Sequence, residues 1–347
     1  MTIRTTIVCM LVELVLLNAC VRPPVTTRRN DLSAIDSLST RLKDTLHNLD
    51  HVSYEIQVPR DVSVKEYFLF IDSTVTALDT LIDYSLTEHI LVWANPWIID
   101  TLVSTDYYHQ IAQDTFIYDQ RKMIVLHQGS ILRIPSQKEA TTIQHRLSST
   151  VLDVNIPEFK LRIYQHDSVL HTFPVRVGRN ERKYLETAGR EVDLRTPIGK
   201  GKIVRIEQDP YFVDPVTGEP FTTTQRDDGR RTMMPQIPWL EPEINGIRYG
   251  SMIHPTTNPS TLGKAYSNGC VGTPEGAAWI IFNSAPVGTS VNFRYDLEVE
   301  DEQGNILLLD DIYELAKKSH SSSSVNSIST PSAVDLPNTR NYWCLCR

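Results

Sequence analysis

The sequence predicts an α+β protein in which a helical amino-terminal domain precedes a mainly β domain. Before residue 150, apolar residues recur at steps of three and four, which is the period of an amphipathic helix. From Val151 the period changes to two, which is typical of half-buried strands. The length of 347 residues fits two folded units with extensions better than one compact domain.

The composition narrows the class of protein and of partner. A hydrophobic share of 41% with 22% charged residues is ordinary for a globular protein. The net charge of -8 gives no basic surface for a phosphate backbone, so nucleic acid is not an expected partner. The five cysteines are at positions 9, 20, 270, 344 and 346, and only Cys270 lies in the body of the chain. A disulfide framework is therefore not expected, and Cys270 is either a small buried hydrophobe or a reactive group.

The amino terminus resembles a lipoprotein signal peptide. Arg4 is followed by an apolar run to Leu17 and then by Leu17-Asn18-Ala19-Cys20, which is similar to a lipobox. We predict that residues 1–20 direct export, that Cys20 is lipidated, and that residues 21–30 form a tether. An uncleaved membrane anchor is the alternative, but the run is shorter than the roughly 20 apolar residues that span a bilayer. The expected location is the cell envelope, on the periplasmic side of the membrane.

Residues 31–150 carry the helical signals. Residues 31–49 place leucine and isoleucine on one helical face. Ser63 with Glu66 has the spacing of a capping box and opens a second helix. Residues 85–88 repeat that spacing and open a third helix, which must end near Pro96. We therefore predict one helical domain over residues 31–150.

The end of this region resembles parts of a LysM glycan-binding module. Asn95-Pro96-Trp97 follows a predicted helix, and residues 126–135 read as the strand that closes such a module. The alternative is a helical packing domain without a ligand, because a fragment of a fold does not carry function by itself.

The β domain is predicted over residues 151–297. Leu161 and Ile163 alternate with polar residues, and a second alternating stretch ends at Val177. Further strands are expected at residues 202–207 and 289–295. A carboxy-terminal extension with a short helix follows over 298–318, and the serine-rich residues 319–347 are expected to be disordered.

Residues 208–245 interrupt the strands with an irregular insertion that is rich in turn formers and aromatic residues. Such insertions often act as lids over a site. Trp239 is flanked by Pro238 and Pro242, and we predict that it contacts substrate. The alternative is that these side chains fill a small satellite core.

Two residues suggest nucleophilic chemistry. His254 closes a predicted strand, and Cys270 lies in the glycine turn Ser267-Asn268-Gly269-Cys270. A histidine near a thiol takes its proton during acyl transfer. Thr273-Pro274-Glu275 has the form of a helix start, so we expect Cys270 to lie just before a helix amino terminus, which favours a thiolate.

The ordered motifs resemble the YkuD-type L,D-transpeptidase domain. They are, in order, Phe173-Pro174-Val175-Arg176-Val177-Gly178, Thr196-Pro197-Ile198-Gly199, Ile253-His254, Ser267-Asn268-Gly269-Cys270-Val271 and Gly288-Thr289-Ser290-Val291. The resemblance implies Cys270 as nucleophile and His254 as base. It also implies Ser267 and Asn268 in the site wall, with the N–H groups of Gly269 and Cys270 as an oxyanion hole.

The resemblance implies a reaction as well as a fold. The donor would be a peptidoglycan tetrapeptide stem that ends in D-alanine on meso-diaminopimelate, and Cys270 would carry a thioester before an amine acceptor resolves it. No metal and no organic cofactor is implied, and the role would be in cell-wall biogenesis and cell shape. The alternatives are an L,D-carboxypeptidase, in which water resolves the thioester, and an inactive lipoprotein that only binds the wall.

The chain departs from the family pattern at two positions. Asn268 replaces the histidine that usually precedes Gly-Cys, and Gly272 replaces an arginine two residues after the cysteine. The arginine belongs to the usual electrostatics around the carboxylate of the donor peptide. Arg248 or Arg294 is the expected replacement, and Arg248 is predicted to bind substrate.

Overall fold

The computed structural model describes residues 54–301 and 303–316 of the chain. The predicted signal peptide with Cys20, the tether, the helix of residues 31–49 and the serine-rich tail lie outside the described residues. The described residues divide into two compact units. The first comprises residues 54–62, 69–95 and 126–144, and the second comprises the remainder. None of the helices in the described ranges is both long enough and apolar enough to cross a membrane.

The helices and strands, numbered in chain order, are as follows. The helices are α1 (Val64–Asp79), α2 (Glu88–Ala94), α3 (Trp97–Val103), α4 (Tyr107–Ala112), α5 (Gln137–Ser148) and α6 (Glu275–Ser284). The strands are β1 (Tyr54–Gln57), β2 (Val62–Ser63), β3 (Ile124–Leu126), β4 (Ile131–Ile134), β5 (Thr150–Asn155), β6 (Lys160–Gln165), β7 (Ser168–Pro174), β8 (Val177–Gly178), β9 (Arg182–Leu185), β10 (Arg190–Asp193), β11 (Gly199–Glu207), β12 (Thr223–Gln225), β13 (Arg231–Met233), β14 (Trp239–Ile244), β15 (Ile253–Pro255), β16 (Ala265–Ser267), β17 (Val271–Thr273), β18 (Ser290–Arg294), β19 (Glu298–Glu300) and β20 (Ile306–Leu308).

The first unit combines helices with a two-stranded sheet. Strand β1 pairs antiparallel with β4. The Asn95 side chain follows helix α2 and makes 2.8 Å hydrogen bonds to both backbone groups of Arg133. The Asn95 amide therefore links the two fragments that resemble a LysM module to each other. That these fragments form such a module stays a prediction. An entirely helical amino-terminal domain is not confirmed, because strands contribute to this unit and residues 96–125 belong to the second unit.

One predicted helix start has the expected capping box, and the other is capped two residues later than the sequence predicts. The carboxylate of Glu66 accepts hydrogen bonds from the backbone N–H and the hydroxyl of Ser63, at 3.2 and 2.8 Å, ahead of helix α1. Thr87 caps helix α2 by accepting from the Ile90 N–H at 3.2 Å. The helix ends at Ala94, next to Asn95-Pro96, as the proline predicts.

The second unit is built on an eight-stranded mixed sheet, in the order β17-β15-β14-β11-β18-β5-β6-β7. The pairs β15–β17 and β18–β5 are parallel, and the other neighbours are antiparallel. The mainly β domain and its predicted strands are therefore confirmed. In β6 the buried residues Leu161 and Ile163 alternate with more exposed residues, because one face of the strand packs into the core.

The insertion after β11 is shorter than the sequence predicts. Residues 239–244 form strand β14, which pairs with β11 through contacts such as Leu240 opposite Ile206. Trp239 is therefore a residue of the central sheet, and the irregular insertion ends before it. The apolar side chains of Trp239 and Leu240 are buried, and this burial favours the strand over a free loop.

Candidate active site

Strand pairing brings the predicted nucleophile and base together. Strands β15 and β17 lie side by side in parallel, with His254 opposite Gly272. Side chains on a strand alternate between faces, so positions 270 and 272 project to the same side of the sheet as His254. Both Cys270 and His254 are buried. The neighbouring strands therefore place the thiol and the imidazole in one site.

The imidazole of His254 is held in its neutral form. Its Nδ1 atom lies 2.8 Å from the carbonyl oxygen of Pro255. Because a carbonyl only accepts, this contact places the ring proton on Nδ1 and leaves the lone pair on Nε2. Burial, reinforced by the charge of Arg176, lowers the pKa of His254 to about 3. The Nε2 atom is buried and has no hydrogen-bond partner among the described residues, so it is suited to accept a proton.

Cys270 packs in a small apolar cluster with Trp239 and Met252, and Phe212 covers that cluster. The Met252 N–H donates to the Cys270 sulfur at 3.2 Å, a contact that favours the thiolate over the thiol.

The helix predicted after Thr273-Pro274 is confirmed, but its predicted position directly beside Cys270 is wrong. Residues 271–273 form strand β17, and helix α6 begins only at Glu275. At about 3.3 Å per strand residue, the helix end lies on the order of 10 Å beyond the cysteine along the chain. Its first N–H groups are also engaged elsewhere, since the Gly276 N–H donates to Asp106 at 2.8 Å. The helix therefore does not supply positive potential at Cys270.

The turn before Cys270 is fixed by internal hydrogen bonds. The Ser267 hydroxyl donates to the Cys270 carbonyl at 2.6 Å and accepts from the Gly269 N–H at 3.2 Å. Gly269 has a φ of +108°, which a residue with a side chain rarely adopts. The Asn268 side-chain oxygen accepts from Arg179. Ser267 and Asn268 thus shape the turn, and the Gly269 N–H predicted for the oxyanion hole is directed at Ser267.

Two residues outside this turn hold it in place through hydrogen bonds. The Thr196 hydroxyl donates to the Gly269 carbonyl at 3.1 Å and accepts from the Gly178 N–H at 2.8 Å. Tyr313 is buried, and its hydroxyl donates to the Gly178 carbonyl at 2.6 Å and accepts from the Thr196 N–H at 3.0 Å. The Thr-Pro-x-Gly motif and the carboxy-terminal extension therefore both position the cysteine turn.

Trp239 lies at the site, although not in a lid. Its ring centroid is 4.9 Å from that of His254, and the ring of Phe212 packs on it at 5.5 Å. The Trp239 Nε1 atom is buried without a hydrogen-bond partner in the described part of the chain. A buried unpaired donor beside the base is a candidate contact for a ligand oxygen.

A cavity of about 700 Å³ has Phe212 in its wall. It is lined mainly by the insertion, at residues 209–212, 220–223, 231, 234 and 236, and also by Lys65 and Arg121. Phe212 also packs against the cluster around Cys270. The insertion thus contributes both to the cavity and to the surroundings of the cysteine.

The insertion is anchored through a buried ion pair. Arg226 pairs with Glu275 at the start of helix α6, and both side chains are almost fully buried. Gln120 bridges the pair: its amide donates to Glu275 at 2.7 Å, and its carbonyl accepts from Arg226 at 2.8 Å. The hairpin of β12 and β13 is therefore anchored to the start of helix α6.

The two arginines expected to replace the family arginine are both matched by carboxylates. Arg248 pairs with Glu241 at 2.6 Å, and Arg294 pairs with Asp153 at 2.8 Å. Sequence reasoning overlooked a third arginine, Arg176, which is buried and packs across Gly272. A glycine on the same face as Cys270 and His254 was the available signal, because it leaves space that another side chain must fill.

Comparisons with known proteins agree with this architecture. Residues 149–293 match the family described as the L,D-transpeptidase catalytic domain, YkuD. A Bacillus licheniformis relative named as an L,D-transpeptidase, YkuD, is 27% identical over 164 residues, which cover 47% of this chain and 74% of the relative.

Solved structures with the same name are more distant. An L,D-transpeptidase from Mycobacterium smegmatis is 14% identical, with a TM-score of 0.29 over 42% of this chain and 58% of that one. The catalytic domain of an Enterococcus faecium L,D-transpeptidase, acylated by ertapenem, is 18% identical, with a TM-score of 0.28 over 42% of this chain and 98% of that one. The chain thus spans little more than half of the mycobacterial protein.

Proposed function

We propose that this protein is a cysteine-dependent peptidoglycan L,D-transpeptidase with Cys270 as nucleophile and His254 as base. The observation that carries the proposal is the parallel pairing of β15 with β17, which places a neutral imidazole with its Nδ1 proton fixed beside the buried cysteine. This pairing supports the proposed roles of nucleophile for Cys270, of base for His254 and of base-orienting group for the Pro255 carbonyl.

In the first half-reaction His254 Nε2 takes the proton of the reduced Cys270 thiol. The thiolate attacks the diaminopimelate carbonyl of a tetrapeptide stem, and the C–N bond to D-alanine breaks as His254 returns the proton to the leaving amine. A thioester on Cys270 remains. In the second half-reaction an acceptor amine attacks the thioester and loses its proton to His254, and the new amide leaves with the thiol restored.

The insertion and Trp239 would favour transfer over hydrolysis. Trp239, Met252 and Phe212 pack around the sulfur, so water reaches a thioester there only when this cover opens. The cavity that Phe212 lines offers room for a stem peptide. We assign substrate contact to Trp239, whose buried Nε1 proton is available to a ligand oxygen. For Arg248, which was also predicted to bind substrate, the pairing with Glu241 gives no such support.

The oxyanion of the tetrahedral intermediate needs donors at the turn. We assign this role to the Cys270 N–H, and to the Gly269 N–H if it turns from Ser267 when the substrate binds. Ser267 then exchanges one hydrogen bond and keeps its contact to the Cys270 carbonyl.

We also propose an envelope location with lipidation at Cys20 after export, and wall binding by the LysM-like fragments. The sequence of residues 1–20 supports the first proposal. Labelling cells with a fatty-acid precursor should mark the full chain, and Cys20→Ala should abolish the label without removing the protein. A label that persists in Cys20→Ala contradicts lipidation at this position.

The reaction is tested by product analysis. Reduced protein incubated with disaccharide tetrapeptides should yield crosslinked dimers and free D-alanine, and Cys270→Ala should yield neither. Free tripeptide without dimers would indicate an L,D-carboxypeptidase. Unchanged substrate, together with retained wall binding in Cys270→Ala, would indicate an inactive binding protein.

A further inference from the structure

Gly178, Thr196 and Tyr313 form a closed cycle of hydrogen bonds beside the cysteine turn. The Tyr313 hydroxyl accepts from the Thr196 N–H at 3.0 Å and donates its one proton to the Gly178 carbonyl at 2.6 Å. The Thr196 hydroxyl accepts from the Gly178 N–H at 2.8 Å, so its own proton is the one donated to the Gly269 carbonyl at 3.1 Å. The direction of each hydrogen bond in the cycle is therefore fixed.

The hydrogen-bond cycle lies in the interior of the second unit. Thr196 and Tyr313 are each only 1% exposed. Burial raises the pKa of Tyr313 to about 12, so the phenol keeps the proton that it donates. The two backbone segments approach so closely that a Cβ atom at Gly178 would lie 2.0 Å from the Leu194 carbonyl oxygen. The cycle is thus a rigid support in which each polar group depends on the next.

This support acts on the peptide group between Gly269 and Cys270. A peptide group is planar and trans, so its N–H points away from its carbonyl oxygen. Because the Thr196 hydroxyl holds the Gly269 carbonyl, it also sets the direction of the Cys270 N–H on the opposite side. A hydrogen bond at the carbonyl polarises the amide and strengthens its N–H as a donor. The N–H that the proposed function assigns to the oxyanion is therefore held by the hydrogen-bond cycle.

We propose that Thr196 and Tyr313 are positioning residues that direct the Cys270 N–H at the oxyanion of the acyl-transfer step. The inference rests on the proposed function, because only acyl transfer places a negatively charged oxygen at this N–H. It adds a part of the chain that the family match does not cover, since that match ends at residue 293 and Tyr313 belongs to the carboxy-terminal extension.

The extension holds Tyr313 in place by contacts of its own. The Tyr313 N–H donates to the Tyr295 hydroxyl at 2.7 Å, and the two rings stack with their centroids 5.4 Å apart. The Tyr295 hydroxyl donates in turn to Asp311 at 2.8 Å. Removal of the Tyr313 hydroxyl alone therefore leaves the extension packed and interrupts only the hydrogen-bond cycle.

The test compares two reactions of the Cys270 thiolate in the reduced full chain. A carbapenem is attacked at its lactam carbonyl, where negative charge develops on oxygen before the C–N bond of the lactam opens. Iodoacetamide is attacked at a saturated carbon, and the C–I bond breaks with loss of iodide and no oxyanion. Both reactions use the same thiolate, so the ratio of acylation to alkylation rates reports stabilisation of the oxyanion. Mass spectrometry of the Cys270 peptide gives both rates.

Variants remove the hydroxyl groups of the cycle one at a time. Thr196→Val removes the donor to Gly269 and should lower the ratio by about 10²-fold, the usual cost of an oxyanion donor. Tyr313→Phe acts one hydrogen bond further away and should lower it about tenfold. Thr196→Ser keeps the hydroxyl and should keep the wild-type ratio. Tyr107→Phe is the matched control, because it removes the hydroxyl of another buried tyrosine, which donates to Asp228 at 2.7 Å.

Each result decides for or against the positioning role. Thermal unfolding checks the fold of every variant, and if Thr196→Val does not fold, the Tyr313→Phe ratio decides. A wild-type ratio in Tyr313→Phe, or an equal loss in Tyr107→Phe, overturns the inference alone, provided that the wild type is acylated. A wild type that iodoacetamide alkylates but no carbapenem acylates contradicts the proposed function, and the inference with it.

Discussion

The two ends of strand β17 each have a buried arginine nearby, and the two arginines have different neighbours. Past the Thr273 end, Arg226 meets the carboxylate of Glu275 and is held by the Thr232 hydroxyl at 2.8 Å. Near the Cys270 end, Arg176 crosses Gly272 and faces the neutral ring of His254. The first arrangement anchors the insertion, and the second places a positive charge beside His254. The two buried arginines therefore have different surroundings, because one meets a carboxylate at the start of helix α6 and the other lies near a neutral ring.

The largest expected effect is at the base near the Cys270 end. His254→Gln should slow acylation of Cys270 by about 10²- to 10⁴-fold, the usual contribution of a positioned general base. Acylation by a carbapenem, followed by intact-protein mass spectrometry, measures the rate. His171→Gln, on the edge strand β7, is the control and should leave the rate unchanged. An undiminished rate in His254→Gln would remove this residue from the mechanism.

The ion pair at the other end should govern stability. Arg226→Met leaves Glu275 buried without its partner, and we expect a loss of about 3–5 kcal/mol in the free energy of unfolding. The double variant Arg226→Met/Glu275→Leu should recover most of this loss, because neither charge then remains buried. Urea denaturation gives the values. A double variant no more stable than Arg226→Met would show that the loss does not come from an unpaired buried charge.

The depressed pKa of His254 predicts a specific pH dependence. Between pH 6.5 and about 3 the unfolded chain binds a proton at this residue and the folded chain does not. Stability contributed by the neutral ring is therefore present above pH 6.5 and is lost as the pH falls, by at most about 1.4 kcal/mol per pH unit. His254→Gln should show a shallower decline in urea denaturation between pH 7 and 4. Parallel curves for the two proteins would contradict the assignment.

The smallest expected effect concerns the cover over the sulfur. Phe212→Ala should raise the share of tripeptide among the products a few-fold, because water gains access to the thioester. Reactivity of the thiol toward iodoacetamide should be kept or increased. Tyr184→Ala, on strand β9, removes an exposed aromatic ring elsewhere and serves as the control. An unaltered product ratio in Phe212→Ala would show that this ring has only a packing role.

The sequence predicts the strands and the two reactive residues because both depend on local pattern. Alternation in residues 160–165 indicates a strand whatever its partners, and the spacing of the motifs brings His254 and Cys270 into one domain. Local pattern also explains the main error. Thr273-Pro274-Glu275 has the form of a helix start, but Val271 to Thr273 pair with β15, and this tertiary pairing places a strand between the cysteine and the helix.

Arg176 could not be placed from the sequence because its position depends on a contact with a residue almost a hundred positions away along the chain. It lies in a quoted motif, yet only the bridge to Gly272 shows what the side chain does. Trp239 was predicted at the site for a different reason, as part of a lid. Its position in β14 depends on pairing with β11, which a segment rich in proline does not predict.

The proposed reaction depends most directly on Cys270 being an activated nucleophile. Reduced full-length protein exposed to a carbapenem should gain one covalent adduct, and peptide mapping should place it on Cys270. The adduct should be absent in Cys270→Ala and should form slowly in His254→Gln. A wild-type protein that remains unmodified after reduction, or that carries the adduct on another residue, would contradict the account.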